Sequence, residues 1–292
     1  MSKVDLHIHS SVSGGTLSPE EIVQKSAELG LTVIALADHD ATEGVAPAQA
    51  AAKSYPQLRI IPAIELDTYN PDGQLHILGY FIDCENAELQ ATLEKLRESR
   101  RGKTPEMLAK LADLGIHIDS QQVQEIAGTA PVGLKHIIEA MMEKGYVSSF
   151  MEGFTKYLGP GSSAYVGGGY KMNAVEAVAL ILKAKGLPVL AHPFGLPLPG
   201  HRFAAKDLEG VVAELKAAGM VGIEAYRNHH SDDQIAKLAG LADKHDLILT
   251  GGTDYRGWDP KIESMIGSAP VPMEAAEQLI ALAEERGLMS AT

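Results

Sequence analysis

The chain of 292 residues carries 25 Lys and Arg against 38 Asp and Glu, a formal charge of −13, with 45% hydrophobic residues. That balance argues against a protein gripping long nucleic acid over its whole face, which rests on cationic neutralisation of phosphates. A small phosphorylated ligand is compatible with it, because a bound divalent ion reverses the sign locally.

The first strand, Val4–Ser10, alternates strictly. Asp5, His7 and His9 fall on one face of an extended strand, and Val4, Leu6 and Ile8 on the other. Two imidazoles at that spacing reach one ion. Because this strand starts near Lys3, no signal peptide is expected. No apolar run approaches the roughly 18 residues of a membrane span. Ser18-Pro19-Glu20-Glu21 reads as a capping box opening a helix to about Leu29. The apolar run Thr32–Ala37 has buried-strand character and ends in Asp38-His39-Asp40. A helix over about Glu43–Ser54 leads to a strand, Arg59–Ile64, that ends at Glu65. The turn signal Asn70-Pro71-Asp72-Gly73 joins Glu65–Tyr69 to Gln74–Phe81 as a hairpin, with His76 on its return strand. The single cysteine, Cys84, fits a reducing cytoplasm. Its neighbours Asp83 and Glu85 raise its pKa and argue against a nucleophile.

Glu88 to about Gly115 reads as helical, and further helices follow to Met142. Residues 97–165 are expected to form a helical insertion within a domain made of 1–96 and 166–292. A helix over Ala174–Lys185, with a capping box at Asn173 and Glu176, restores the alternation. The strand Leu187–Ala191 ends in His192-Pro193, and a helix spans about Lys206–Ala218. The strand Val221–Ala225 is followed by Arg227 and His230, and the helix Asp232–Lys244 by the strand Leu247–Thr250. Gly252-Thr253-Asp254-Tyr255-Arg256 and a last helix over Met273–Gly287 complete the order.

Strands alternating with helices predict an α/β barrel or an open α/β sheet. In a barrel, functional groups gather at the carboxyl ends of the strands. His7, His9, His39, Glu65, His76, His192 and Asp254 are therefore candidate metal ligands. A lone His at a strand end is more often an ordinary polar residue, so the joint placement carries this reading. Imidazole with carboxylate suits manganese, zinc or iron. Two such ions about 3.5–4 Å apart clamp a phosphoryl centre and deliver hydroxide to it.

Asp5-Leu6-His7-Ile8-His9-Ser10, Asp38-His39-Asp40, Glu65, His192-Pro193 and Gly252-Thr253-Asp254 resemble the successive motifs of the PHP (polymerase and histidinol phosphatase) superfamily. Gly133-Leu134-Lys135-His136 and Glu143-Lys144-Gly145-Tyr146-Val147 resemble its stand-alone bacterial phosphoesterases active on nucleotides and short RNA. The resemblance implies a distorted seven-stranded β/α barrel with up to three metal positions. It gives His7, His9, Glu65 and Asp254 to the first ion. Glu65, His76 and His192 go to the second, and His39 to a third. The chain departs from the pattern at that third position. It has Ser13-Gly14-Gly15 where the family usually has Ser-Asp-Gly, and Asp254-Tyr255-Arg256 where it usually has Asp-Phe-His. A guanidinium stays protonated and cannot ligate. Two divalent ions are therefore expected, with the third position unfilled or very weak. It also has Leu134-Lys135-His136 in place of Arg-Pro-His.

The resulting expectation is a metal-dependent phosphoesterase acting on a small nucleotide, such as a 3′,5′-bisphosphate, or on a short oligonucleotide. Asp254 and Arg256 would be catalytic. Lys135, His136, Arg227, His230 and Arg256 would contact substrate. A histidinol-phosphate phosphatase, and a non-catalytic metal- or ligand-binding module, stand as alternatives. Metal ligands alone do not separate these from an amidohydrolase. The sequence carries no signal of oligomeric state.

Overall fold

The computed structural model describes residues 2–70, 73–128, 132–159, 161–167, 169–195, 207–257 and 265–288. These residues form two compact units. The first takes in the described chain up to Ala91 and from Met172 onward, and the second Thr92–Lys171.

Among the described residues the strands are β1 (Val4–Ile8), β2 (Val33–Leu36), β3 (Arg59–Asn70), β4 (Gly73–Tyr80), β5 (Met172–Asn173), β6 (Leu187–Ala191), β7 (Gly222–Tyr226) and β8 (Ile248–Gly251). Seven of them follow one another in the order β1-β2-β3-β4-β6-β7-β8, and β5 pairs with β3. β4 runs antiparallel to both its neighbours, while the other pairs along this path are parallel. Just beyond β8 the chain returns to β1. Asp254 N–H donates to the His7 carbonyl (2.8 Å) and His9 N–H to the Tyr255 carbonyl (2.9 Å). The result is a nearly closed, seven-stranded mixed barrel.

Strands buried on both faces need continuous apolar sequence, which β2 and β6 supply as Val-Ile-Ala-Leu and Leu-Pro-Val-Leu-Ala. Val4, Leu6, Ala35, Ile61, Ala63, Leu78, Tyr80 and Val189 share one core cluster. Ile8, Ile34 and Leu36 join Ile22 and Val23 of the helix Pro19–Glu28 in another. The expected capping boxes at Ser18–Glu21 and Asn173–Glu176 are both present.

Several elements differ from their expected form. Arg59–Ile64 and Glu65–Tyr69 are one continuous strand, so Glu65 lies within β3 rather than at its end. The hairpin pairs as anticipated, with Pro71 and Asp72 of its turn, like Lys206, outside the described residues. The helix expected over Glu88–Gly115 is two, Ala87–Arg101 and Thr104–Asp113. Pro105 lacks an N–H and stands in the first turn of the second helix, where that N–H would have no partner within the helix. Within the second unit, Met107, Leu111, Val123, Ile137, Ile138, Met141 and Leu158 build a separate core. Among the described residues no helix is long and apolar enough to cross a membrane.

Candidate metal centre

Strict alternation does not hold in β1. Its pairing with β2 slips between Asp5, opposite Ile34, and Ile8, opposite Leu36. Ile34 and Leu36 lie two residues apart and face the same cluster, so Asp5 and Ile8 share a side. A β-bulge thus turns His7 and His9 away from Asp5 and toward the barrel interior. Asp5 stays behind as a fastener. Its carboxylate accepts from Thr253 N–H (3.0 Å), Thr253 Oγ1 (2.7 Å) and Gly267 N–H (2.9 Å). The segment after β8 can lie this close only because position 252 is glycine. A Cβ there would meet the His7 backbone nitrogen and Cβ at 2.5 Å.

β3 carries Ile61, Ala63, Glu65 and Asp67 on one face by its period of two, so a core stripe passes directly into two carboxylates. Because β4 runs the opposite way, its early residue His76 stands directly opposite Asp67. His39 follows β2 and bridges to Glu65. His192 and Asp254 adopt left-handed backbone, φ 24° and 55°. Such conformations cost of order 1–3 kcal/mol each and persist where the surroundings enforce them.

Two groups of metal-ligand chemistry share Glu65, and all their members are buried. In the first, His7 Nε2 lies 3.3 Å from Glu65 Oε2 and 3.8 Å from Asp254 Oδ1. His9 Nε2 is 3.2 Å and 3.0 Å from the same two atoms. Four ligands at roughly 2.1 Å in a tetrahedron stand about 3.4 Å apart, so these spacings fit one ion. Glu65 Oε1 faces the second group, 2.9 Å from His76 Nδ1 and 2.8 Å from His192 Nε2. His7 Nε2 and Glu65 Oε2 are buried without a hydrogen-bond partner, as ligand atoms aimed at an ion are. A third group brings His39 and His76 to Asp67.

Outer groups fix the imidazoles. His7 Nδ1 donates to Glu224 Oε1 (2.9 Å), which turns Nε2 toward the site, where a bound cation would take the place of its proton. Glu224 Oε2 accepts from the His192 N–H (2.8 Å) and from Arg227 (2.8 Å). Arg227 also holds Asp254 Oδ2 at 3.1 Å. Nη2 of Arg256 donates to Asp254 Oδ1 (2.8 Å) and lies 3.0 Å from His9 Nε2 and 2.7 Å from His39 Nε2. The carboxylates of Glu65, Asp67, Glu224 and Asp254 outnumber the two guanidinium groups beside them, and protons on imidazoles such as His7 or bound cations balance the remainder. Buried unpaired charge is expensive, and divalent cations fit that remainder.

Protonation follows the same charges. Burial opposes ionisation of Glu65, yet His39, His7 and His76 hold its carboxyl well below the usual range. Burial also works against a charged His7, but Glu224, Glu65 and Asp254 raise it to about 10. At His39 burial prevails, with Arg256 adding to it, and the imidazole falls to about 4. Cys84, outside the site, is pushed up to about 11 by burial and then by Asp83 and Glu85.

The structure therefore brings together His7, His9, His39, Glu65, His76, His192, Asp254 and Arg256. Arg227, expected as a substrate contact, is a buried tie between Glu224 and Asp254. His230 donates from Nδ1 to the Ala225 carbonyl (2.7 Å) and packs edge-on against Phe194. Lys135 and His136 belong to the second unit. There Lys135 pairs with Glu139 at 3.3 Å. His136 Nδ1 accepts from Gly133 N–H at 3.1 Å, and burial, with Lys135 adding to it, lowers its pKa to about 4. Asp67 and Glu224 went unremarked in the sequence, although both carried a signal. Asp67 lies two residues beyond Glu65 on one strand face. Glu224 is the lone charge inside the strand Gly-Ile-Glu-Ala-Tyr, and a charge buried there needs a partner.

Comparison with known proteins agrees with this geometry. The PHP domain family matches residues 5–164. A 3′,5′-nucleoside bisphosphate phosphatase of Chromobacterium violaceum is 32% identical over 257 residues, 87% of each chain. The 5′-3′ exoribonuclease Rnm of Escherichia coli is 29% identical over 260 residues, 89% of this chain and 87% of that one. A crystal structure from Bifidobacterium adolescentis superposes with a TM-score of 0.84 at 24% identity, covering 95% of both chains, and shares the fold. The chain belongs to the PHP domain family, as a metal-dependent phosphoesterase.

Proposed function

We propose that this phosphoesterase removes phosphate from a small nucleotide, such as a nucleoside 3′,5′-bisphosphate, and that the end of a short oligoribonucleotide is its second substrate class. The observation that carries the reading is Glu65, whose two oxygens face two separate ligand groups while Arg256 stands beside the first. The similarity to a bisphosphate phosphatase and to an exoribonuclease supports the substrate class.

His7, His9, Glu65 and Asp254 would hold one divalent ion, and Glu65, His76 and His192 a second, with manganese, zinc or iron suited to these donors. When bound, such a pair supplies Lewis acidity and a strong nucleophile at neutral pH. The protein's own groups do the rest. Glu224 and Arg227 keep His7 and Asp254 aimed. Arg256 offers its planar fork to a phosphoryl oxygen and offsets charge that develops there. Lys135 and His230 remain proposed contacts to the rest of the substrate. His136 and Arg227 are better read through the structural partners they already have. On its single cysteine, the protein is assigned to the cytoplasm.

Manganese-loaded protein should be offered a nucleoside 3′,5′-bisphosphate, a short 5′-phosphorylated RNA, histidinol phosphate and a generic aryl phosphate. Turnover is expected to favour the first two. Preference for histidinol phosphate would replace the substrate assignment. No phosphate release from any of them would leave a binding module.

A further inference from the structure

The bulge in β1 takes one peptide group out of the regular ladder. Two residues, Leu6 and His7, stand between Asp5 and Ile8, where only Ala35 stands between their partners Ile34 and Leu36. Ladder pairing is disrupted at such a point, and a buried peptide N–H or C=O left without a partner is costly. Side chains meet that need at the peptide joining Leu6 to His7. Its N–H, on His7, donates to Asp5 Oδ1 at 3.3 Å. Its carbonyl, on Leu6, accepts from Tyr80 Oη at 3.0 Å. Tyr80 belongs to β4, which β2 and β3 separate from β1 in the sheet, so its ring reaches Leu6 across the interior of the barrel. It is fully buried in the core cluster that holds Leu6, Ala35, Ala63 and Val189.

We infer that Tyr80 is a positioning residue for the metal centre: its hydroxyl pins the Leu6 carbonyl, keeps the bulge in β1 and so aims His7 and His9 at their shared ion. The pinned peptide ends at the His7 backbone nitrogen, so its rotation would turn the imidazole. On the other side of that residue, the His7 carbonyl accepts from Asp254 N–H at 2.8 Å. The backbone of His7 is therefore held both before and after its Cα. β4 is a firm base for the pin, because it pairs along its length with β3 and, from His76 to Tyr80, with β6. His76, a ligand of the second group, lies on the same face of β4 by its period of two. Its place is set by those two ladders and not by Leu6. Loss of the hydroxyl should therefore reach one ion and spare the other. The inference rests on the ligand roles proposed for His7 and His9.

Y80F removes the hydroxyl and keeps the ring. Calorimetric titration of metal-free wild type with manganese should show about two binding steps. In Y80F one step should weaken roughly tenfold or more, as on loss of other outer partners, and the other should stay unchanged. Cobalt-loaded Y80F should also show altered visible absorption bands, since these follow ligand geometry. Replacing Tyr80 by p-aminophenylalanine returns an N–H donor at the far end of the ring and should restore most of the lost affinity. A space-filling Tyr80 would leave both steps of Y80F as in wild type, and that result would overturn the inference. Equal weakening of both steps, or no rescue by p-aminophenylalanine, would overturn it as well. Crystals of manganese-loaded wild type give a check that needs no variant. The bond from Tyr80 to Leu6 should persist there, and its absence beside metal-bound His7 and His9 would contradict the pin. If wild type binds no manganese, the dinuclear reading fails by itself. Amide exchange of His7 in the metal-free protein then decides the pin, with faster exchange in Y80F supporting it and equal exchange overturning it.

Discussion

At the scale of single residues, Glu65 is the pivot, because each of its oxygens belongs to a different ligand group. Its replacement E65Q should lose tight binding of both ions, whereas H192A should lose one; metal content after dialysis distinguishes these outcomes. Glu224 acts at one remove, through the Nδ1 proton of His7. E224A should weaken metal binding by roughly tenfold to a hundredfold with the ligands intact, measurable by calorimetric titration with manganese. An unchanged affinity would mean that packing alone orients His7. That these imidazoles would gather at one centre was legible in the sequence because metal chemistry restricts the residue types and because they punctuate apolar runs. Asp67 and Glu224 were harder to see, since an outer carboxylate looks like any strand residue until its partner is known. His136 and Arg227 mislead for the opposite reason. Both suit a ligand, but the charge of Arg227 is spent on Glu224 and the Nδ1 of His136 on the Gly133 N–H.

Among the elements, β1 shows the limit of period-two reasoning. The sequence places Asp5 with His7 and His9, whereas the bulge separates them and gives Asp5 the task of closing the barrel. A slip of one residue cannot be read from alternation, because the residues on both faces of this buried strand satisfy the pattern equally well. Closure at Gly252 is a further sharp test. A Cβ there meets the His7 backbone, so G252A should cost about 1–3 kcal/mol as overpacking does and also weaken metal binding. Thermal melts with and without manganese would show both effects; a neutral result would remove the close approach from the account. By contrast, helix starts were read well. Ser18–Glu21 and Asn173–Glu176 are local signals with local causes, and N173A should cost about 1 kcal/mol in a denaturant titration.

For the whole molecule, the α/β class and the gathering of chemical groups near strand ends were legible because an α/β alternation admits few topologies. The continuity of β3 was not, since Glu65 interrupts its apolar run with a residue retained for function. Protonation adds a global consequence. Burial, together with Lys135, depresses His136 to about 4 from an unfolded value near 6.5. Its neutral form therefore favours the fold. That contribution is complete above about pH 6.5, where both states are neutral. It declines as pH falls toward 4, because the unfolded chain takes up the proton first. H136N should flatten this part of the stability–pH curve, and identical slopes in the two proteins would deny His136 that role. Metal binding should stabilise the fold by about 4 kcal/mol for a site at a thousandfold its Kd.

The most direct measurement is anomalous diffraction from crystals grown with manganese and inorganic phosphate. Two manganese peaks are predicted, one among His7, His9, Glu65 and Asp254 and one among Glu65, His76 and His192, with phosphate against both and against Arg256. Absence of manganese from both ligand groups at saturating metal would contradict the dinuclear centre on which the proposed reaction depends.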